Sequence, residues 1–301
     1  MKKIILILLA SLLGYVLLYL SLSFVISNLS KWEVKGFLIR TKTKENIPMD
    51  IWKMQISESV QYTPANNYNH LSEEDNPYYH YAYEHDGAGR IIKKKCYAIG
   101  KNNTIVTADE YLKNYTAYEY ENDRPVREVC YSSMGTDGKW FTPDDIEIYR
   151  SVYGYGSDGK RIRSVKYGRE GSILQYTTFE NNSRGLVSKD IVYKGKGPDD
   201  RWFTIDDEIE KYHRFEYNNG KLARIAEYNQ QHNGRGPDNL WFSADDKIFA
   251  TKEFSYCEDG HMAKIKKCIG PGPDNAWFTE DDVVQYYTVY DYNNHVNHKV
   301  K

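Results

Sequence analysis

The sequence predicts an all-β fold: tandem β-hairpin repeats forming an elongated stacked or spiral sheet, preceded by one N-terminal transmembrane helix. Three observations carry that expectation. An uncharged apolar run lies near the N-terminus, a loop of the form G-P-D-N-x-W-F-T-x-D-D recurs along the chain, and 28 Tyr and 6 Trp stand against only 10 Phe. Tyr favours pleated, half-buried surfaces and keeps a polar tip for water, so its excess points to β-structure with two partly wet faces.

At 301 residues the chain can bury a sizeable core. Its 40 basic and 42 acidic residues give a formal net charge of −2. That balance lacks the basic excess that phosphate neutralisation requires, which excludes nucleic acid as a partner.

Residues 1–27 are read as a signal anchor. Lys2 and Lys3 precede an apolar stretch from Ile4 to Ile26, long enough at a 1.5 Å rise per residue to cross a hydrocarbon core of roughly 30 Å. The stretch is longer than the apolar region of a cleavable signal and ends in bulky Phe24, Val25 and Ile26, although Ser21 and Ser23 keep cleavage open. The lysine pair places the remainder outside the cytoplasm. The expected partner is therefore the membrane, through a single-pass helix, with the repeats in the periplasm or at the cell surface. Residues 28–77 match the repeat poorly and are read as a juxtamembrane segment and N-terminal cap.

Residues 78–294 form the repeat domain. Four loops align without gaps: Gly135–Asp145, Gly197–Asp207, Gly236–Asp246 and Gly272–Asp282. A worn copy runs from Gly100 to Glu110, and a possible further one ends at Asp75. Each loop is followed by a strand, a tight turn and a second strand. Asp-Gly at 86–87, 158–159 and 259–260 and Asn-Gly at 219–220 accept positive φ and signal hairpins. A lone hairpin is marginal in water, so the copies must bury surface against one another. Residues 295–301 form a polar tail whose His295 and His298 read as solvated.

The Y-x-Y-x-x-x-G-[KR] pattern, present as YAYEHDGAGR, YGYGSDGKR and FEYNNGKL, resembles the YD (RHS-like) repeats of bacterial surface and toxin-associated proteins. The W-F-T-x-D-D loops are similar to those of exported bacterial repeat proteins. The resemblance implies a hairpin-repeat architecture and an envelope setting. It carries over no catalytic residue, and the chain has too few repeats to close a large shell.

Two readings of the loop follow from its residues. In the first it is a repeat junction: Gly-Pro-Asp-Asn supplies a turn, Thr-x-Asp-Asp caps a single helical turn, and Trp140, Trp202, Trp241 and Trp277 plug into the repeat core. In the second the oxygens hold calcium, a hard cation that takes 6–8 such ligands. The candidates are Asp137, Asp144, Asp145, Asp199, Asp200, Asp206, Asp207, Asp238, Asp245, Asp246, Asp274, Asp281 and Asp282. The spacing is not that of an EF-hand. Four cysteines, Cys96, Cys130, Cys257 and Cys268, lie in a compartment that permits disulfides. Their connectivity is not fixed by spacing, and the local pairs Cys96–Cys130 and Cys257–Cys268 are the first to test. None has zinc-ligand spacing, which argues against a metal role.

Acid pairs recur in every unit, whereas a catalytic pair is expected once, so no enzymatic activity is expected. The functional expectation is a non-catalytic, membrane-anchored envelope scaffold or interaction protein presenting a Tyr-rich surface. The alternatives are a cell-surface glycan-binding module, with sugar rings on the four tryptophans, or a calcium-stabilised accessory or immunity partner of a toxin system.

Overall fold

The computed structural model describes residues 56–64, 76–99 and 111–292. The apolar run Ile4–Ile26, the worn loops ending at Asp75 and Glu110, and the tail 295–301 lie outside the described residues. The strands are β1 (Ile56–Thr63), β2 (Asn76–His85), β3 (Ile91–Ala98), β4 (Leu112–Glu121), β5 (Arg124–Ser133), β6 (Ile146–Tyr155) and β7 (Arg161–Gly168). They continue with β8 (Ile173–Asn181), β9 (Val187–Gly195), β10 (Glu208–Asn218), β11 (Lys221–Asn229), β12 (Ala250–Tyr256), β13 (Met262–Cys268) and β14 (Val284–Tyr292).

Each strand pairs antiparallel with its neighbours in sequence, and β1 pairs with β14, closing a barrel. The expected elongated stacked or spiral sheet is therefore corrected to a closed one. The reason lies in the hairpins. In four of them the register shifts just before the second aromatic of the Y-x-Y motif: between Glu119 and Tyr120, Gly154 and Tyr155, Glu216 and Tyr217, and Ser255 and Tyr256. A bulge repeated at one level bends and coils a sheet in one sense, and closure removes its two unpaired edges. The strand that completes the ring, β1, lies in the segment read from the sequence as a cap.

Two kinds of turn make the hairpins. At Asn122–Asp123 and Asn219–Gly220 both residues have positive φ (47° and 61°, 50° and 81°), the two-residue turn whose twist suits paired strands. Elsewhere a glycine N–H returns to the carbonyl three residues back, as in Gly159 to Gly156 at 2.9 Å. In the Asp86–Gly87 turn the positive φ falls on Gly89 (77°), two residues beyond the expected position.

The bulge also explains the second tyrosine. Its hydroxyl donates to a carbonyl near the start of the preceding hairpin's return strand: Tyr120 to Ile91 (2.7 Å), Tyr155 to Pro125 (2.6 Å), Tyr217 to Val187 (2.9 Å), Tyr256 to Leu222 (2.8 Å) and Tyr292 to Met262 (2.8 Å). The tyrosine excess thus serves as a row of cross-links between hairpins.

Alternation divides the wall into two faces that stay consistent around the ring. The enclosed face carries Ser59, Tyr118, Ser151, Thr177, Asp190, Ile225, Glu227, Ile265 and Thr288, all buried. A barrel of 14 strands encloses a lumen, and these side chains are the buried positions on that face. The outward face carries exposed charges on several strands, among them Glu119, Arg163, Glu180, Arg214 and Glu216.

Helical backbone among the described residues is limited to 3-10 turns, at Gln230–His232 and at Tyr111. None of their helices is long and apolar enough to cross a membrane. The transmembrane or signal-anchor helix, and the membrane partner drawn from it, are corrected accordingly: the described fold is strand alone, and the segment proposed to anchor it lies outside the described residues.

The disulfide expectation is also corrected. All four cysteines are free. Cys96 on β3 and Cys130 on β5 are separated by β4, against which both pair. Two strand spacings of about 4.8 Å exceed the ~7 Å a disulfide tolerates between Cα atoms. Cys268 stands opposite Thr251, whereas Cys257 lies just beyond the far end of β12, which closes at Tyr256, roughly 20 Å along the chain.

Candidate functional site

The G-P-D-N loops lie on the outward face, and each reaches back across two strands. The loop between β5 and β6 covers Tyr115 of β4 and ends with Phe141 under Lys93 and Lys95 of β3, their Nζ atoms 4.4 and 4.7 Å from the ring centre. Equivalent cations meet the other phenylalanines: Arg163 over Phe203 (4.8 Å), Lys189 over Phe242 (4.3 Å) and Arg224 over Phe278 (4.8 Å).

The loop geometry is set by its acids. The early aspartate accepts from the backbone N–H two residues on: Asp137 from Lys139, Asp199 from Arg201, Asp238 from Leu240 and Asp274 from Ala276, each at 2.8 Å. The first of the paired aspartates reaches back to the early one's N–H: Asp144 to Asp137 (3.1 Å), Asp206 to Asp199 (3.1 Å), Asp245 to Asp238 (3.0 Å) and Asp281 to Asp274 (2.9 Å). The loop hydroxyls reinforce it, and Thr142, then Thr136, then the Asp137 N–H hold the Asp144 carboxyl down at about 2. Asp206 and Asp245 are lowered by Thr204 and Ser243 and then by the early aspartate's N–H, and Asp281 by the Asp274 N–H and then Thr279.

The second aspartate of each pair turns inward. Asp145 accepts from the Phe141 N–H (2.7 Å) and the Tyr115 hydroxyl (2.6 Å). Asp207 accepts from Phe203 (2.7 Å) and Tyr176 (2.6 Å), and Asp246 from Phe242 (2.8 Å) and Tyr212 (2.5 Å). This contact holds the phenylalanines in left-handed backbone, φ 68–72°, which bulky residues rarely adopt. The Thr-x-Asp-Asp segment is accordingly a tight turn, with Asp145 N–H on the Thr142 carbonyl at 3.2 Å, rather than a helical turn.

Beneath three loops lies one aromatic unit. Tyr115–Tyr131, Tyr176–Tyr193 and Tyr212–Tyr228 stack at 4.7, 4.4 and 4.3 Å, and Trp140, Trp202 and Trp241 meet the first ring of each pair edge-on. Trp277 packs instead on Cys268, Val284 and Tyr287. All four tryptophans are half-buried, and the indole N–H groups of Trp140 and Trp241 are buried without a partner. Three of them pack edge-on against a buried tyrosine.

The thirteen aspartates expected to hold calcium are thus committed to N–H and O–H donors or, for Asp200, to Lys196 at 2.9 Å. Among the described residues one group of three ligating side chains converges, Glu253, Cys268 and Asp282, and only Asp282 comes from the expected set. Burial pushes the Cys268 thiol up to about 11 and raises the Asp282 carboxyl. Glu253 and its neighbour Thr251 carry no motif and were not singled out by the sequence.

A second cluster unmarked in the sequence lies on the enclosed face. His213 Nδ1 meets Asp190 at 2.6 Å, and its Nε2 lies 3.5 Å from Glu227. Burial opposes charge on this imidazole, but the two carboxylates outweigh it and raise its pKa. Burial likewise opposes charge on Glu227, yet His213 and the lysines Lys211 and Lys267 hold it well below the carboxylate range.

No family model matches the chain, and no curated protein does. Among solved structures it is similar to a porin-like protein of Bacteroides vulgatus, 10% identical, with 80% of this chain and 99% of that one covered at a TM-score of 0.39. A porin-like protein of Bacteroides uniformis is 12% identical over 79% of this chain and 98% of that one, at 0.36. The TcdB2–TccC3 complex is 11% identical over 71% of this chain and 12% of that one, at 0.24. The YD-like resemblance is matched only loosely by these, and the barrel rests on the strand pairing of this chain itself.

Proposed function

We propose that this chain is a non-catalytic scaffold or interaction protein of the cell envelope, binding its partner on the outward wall of the barrel. One observation carries the reading: the loops hold Phe203 and Phe242 out at 44% and 39% exposure, beside Ile205 and Leu240, which are exposed at 105% and 64%. Folding spends a left-handed backbone on each of these rings and then leaves them in water over a cation. Aromatic rings and arginine, such as Phe203 under Arg163, are what interface centres favour. The loop acids support the same reading, because their donors hold them as structural braces. The extracytoplasmic setting is supported by Lys2, Lys3 and the apolar run behind them.

The test is a photo-crosslinker at position 205 of the full chain in its native cells, with Phe203→Ala/Phe242→Ala as comparison and fractionation alongside. A discrete crosslinked species in the envelope fraction, lost in the double variant, is expected. No species above background, an unchanged one in the variant, or a cytoplasmic protein sinks the reading.

A further inference from the structure

The fourth loop breaks the pattern of the other three at the one place where the pattern is buried. Tyr115, Tyr176 and Tyr212 each donate to the second aspartate of their loop and stack on a cross-strand tyrosine. In the fourth copy the donor's position is Thr251 and the stacked partner's is Cys268, directly opposite it in the β12–β13 register. Two aromatic rings have been exchanged for two small side chains, each ending in a ligating atom.

The consequences converge on one point. Asp282 is fully buried and keeps the Phe278 N–H at 2.9 Å, without a tyrosine hydroxyl. Cys268 is fully buried and Thr251 is 1% exposed. The Thr251 hydroxyl makes no hydrogen bond to nitrogen or oxygen and faces the Cys268 sulfur. Glu253, two residues along the same face of β12, completes the group: one oxygen from each carboxylate and the Cys268 Sγ lie within 4.8 Å of one another. The nearby Lys266, paired with Glu253 at 2.5 Å, balances one of the two carboxylates. Trp277, Val284 and Tyr287 pack around the cysteine.

We propose that Glu253, Cys268 and Asp282, with the Thr251 hydroxyl as a further oxygen, form a structural zinc site. A thiolate with two carboxylates suits a borderline-soft divalent cation and not calcium, which takes oxygen alone. Loss of the thiol proton on binding gives a group whose remaining negative charge, after Lys266, a divalent ion balances. Zinc–ligand bonds of about 2.0–2.3 Å require the three atoms to close up by about an ångström, a movement within reach of side-chain rotation.

The experiment loads the full chain with zinc, then with cobalt(II) as a spectroscopic probe, and repeats both on Thr251→Tyr/Cys268→Tyr, which restores the residues found beneath the other loops. One zinc per wild-type chain, a rise in melting temperature on loading, and a thiolate-to-cobalt charge-transfer band are expected. The double variant should melt cooperatively and bind no zinc. Cys268→Ser should lose the charge-transfer band. Absence of stoichiometric zinc on the wild type, a cobalt spectrum without the thiolate band, or equal binding by the double variant overturns the proposal.

Discussion

Tyr212 shows how much one hydroxyl is asked to do. Fully buried, it stacks on Tyr228 and donates to Asp246. Tyr212→Phe keeps the stack and removes one donor from a partly buried carboxylate, so it should cost roughly 1–3 kcal/mol. A double-mutant cycle with Asp246→Asn should return most of that as coupling; additive effects would show that the contact carries no energy. Gly197 is a sterner case. A Cβ there would overlap the Asp206 backbone oxygen, which cannot move without breaking the loop. Gly197→Ala should therefore destabilise by about 2 kcal/mol or more, read as a lower denaturation midpoint with an unchanged slope. At this scale the sequence was informative about residue type and silent about direction. It marked the W-F-T-x-D-D residues, but a phenylalanine in left-handed backbone follows only once Asp145 and its counterparts are seen holding the Phe N–H.

The loops also titrate as elements. The first paired aspartates have lowered pKa values, so their contribution to stability is present above about 3.8, the unfolded value, and is lost as pH falls through the lower folded one. Acid unfolding should set in below that pH, and Asp144→Asn should shift its onset measurably in a pH-resolved melt; an unchanged onset would count against the brace. The hairpins themselves were legible, because Asn219–Gly220 and the Y-x-Y motif are local signals. What each second tyrosine reaches was not, since Tyr256 bonds Leu222 in another hairpin and no pattern within a repeat records that. For the same reason the Glu253–Cys268–Asp282 group escaped any spacing rule: its members sit on β12, on β13 and in the loop after it, brought together by register alone.

For the whole molecule, the His213 cluster sets a pH window. The raised His213 pKa gives stability that is full below about 6.5 and lost as pH rises through the folded value; the lowered Glu227 pKa gives stability that is full above about 4.5 and lost as pH falls. Melting temperature should peak between those limits and decline on the alkaline side. His213→Gln should flatten that decline, and an unaltered slope would remove the cluster from the account. Closure was the part the sequence hid most completely, because β1 lies in a stretch with no repeat signature and its partner β14 is over 200 residues away. Val60→Pro, which removes a ladder donor from a strand paired on both sides, should reopen two edges and give self-association by light scattering.

The meeting of β1 with β14 also fixes an order of events. Every strand, β1 with β2 included, can pair with a sequence neighbour as soon as that neighbour exists, so the wall can grow hairpin by hairpin from short-range contacts. The second edge of the first strand must wait for the last. Until the C-terminal strand is available, the growing sheet carries an open edge at each end, and the loop-closure entropy of nearly the whole domain falls on one final step. Refolding should therefore show a late phase sensitive to changes in β1 and β14 and indifferent to those in β7 or β8, with aggregation confined to the interval before it.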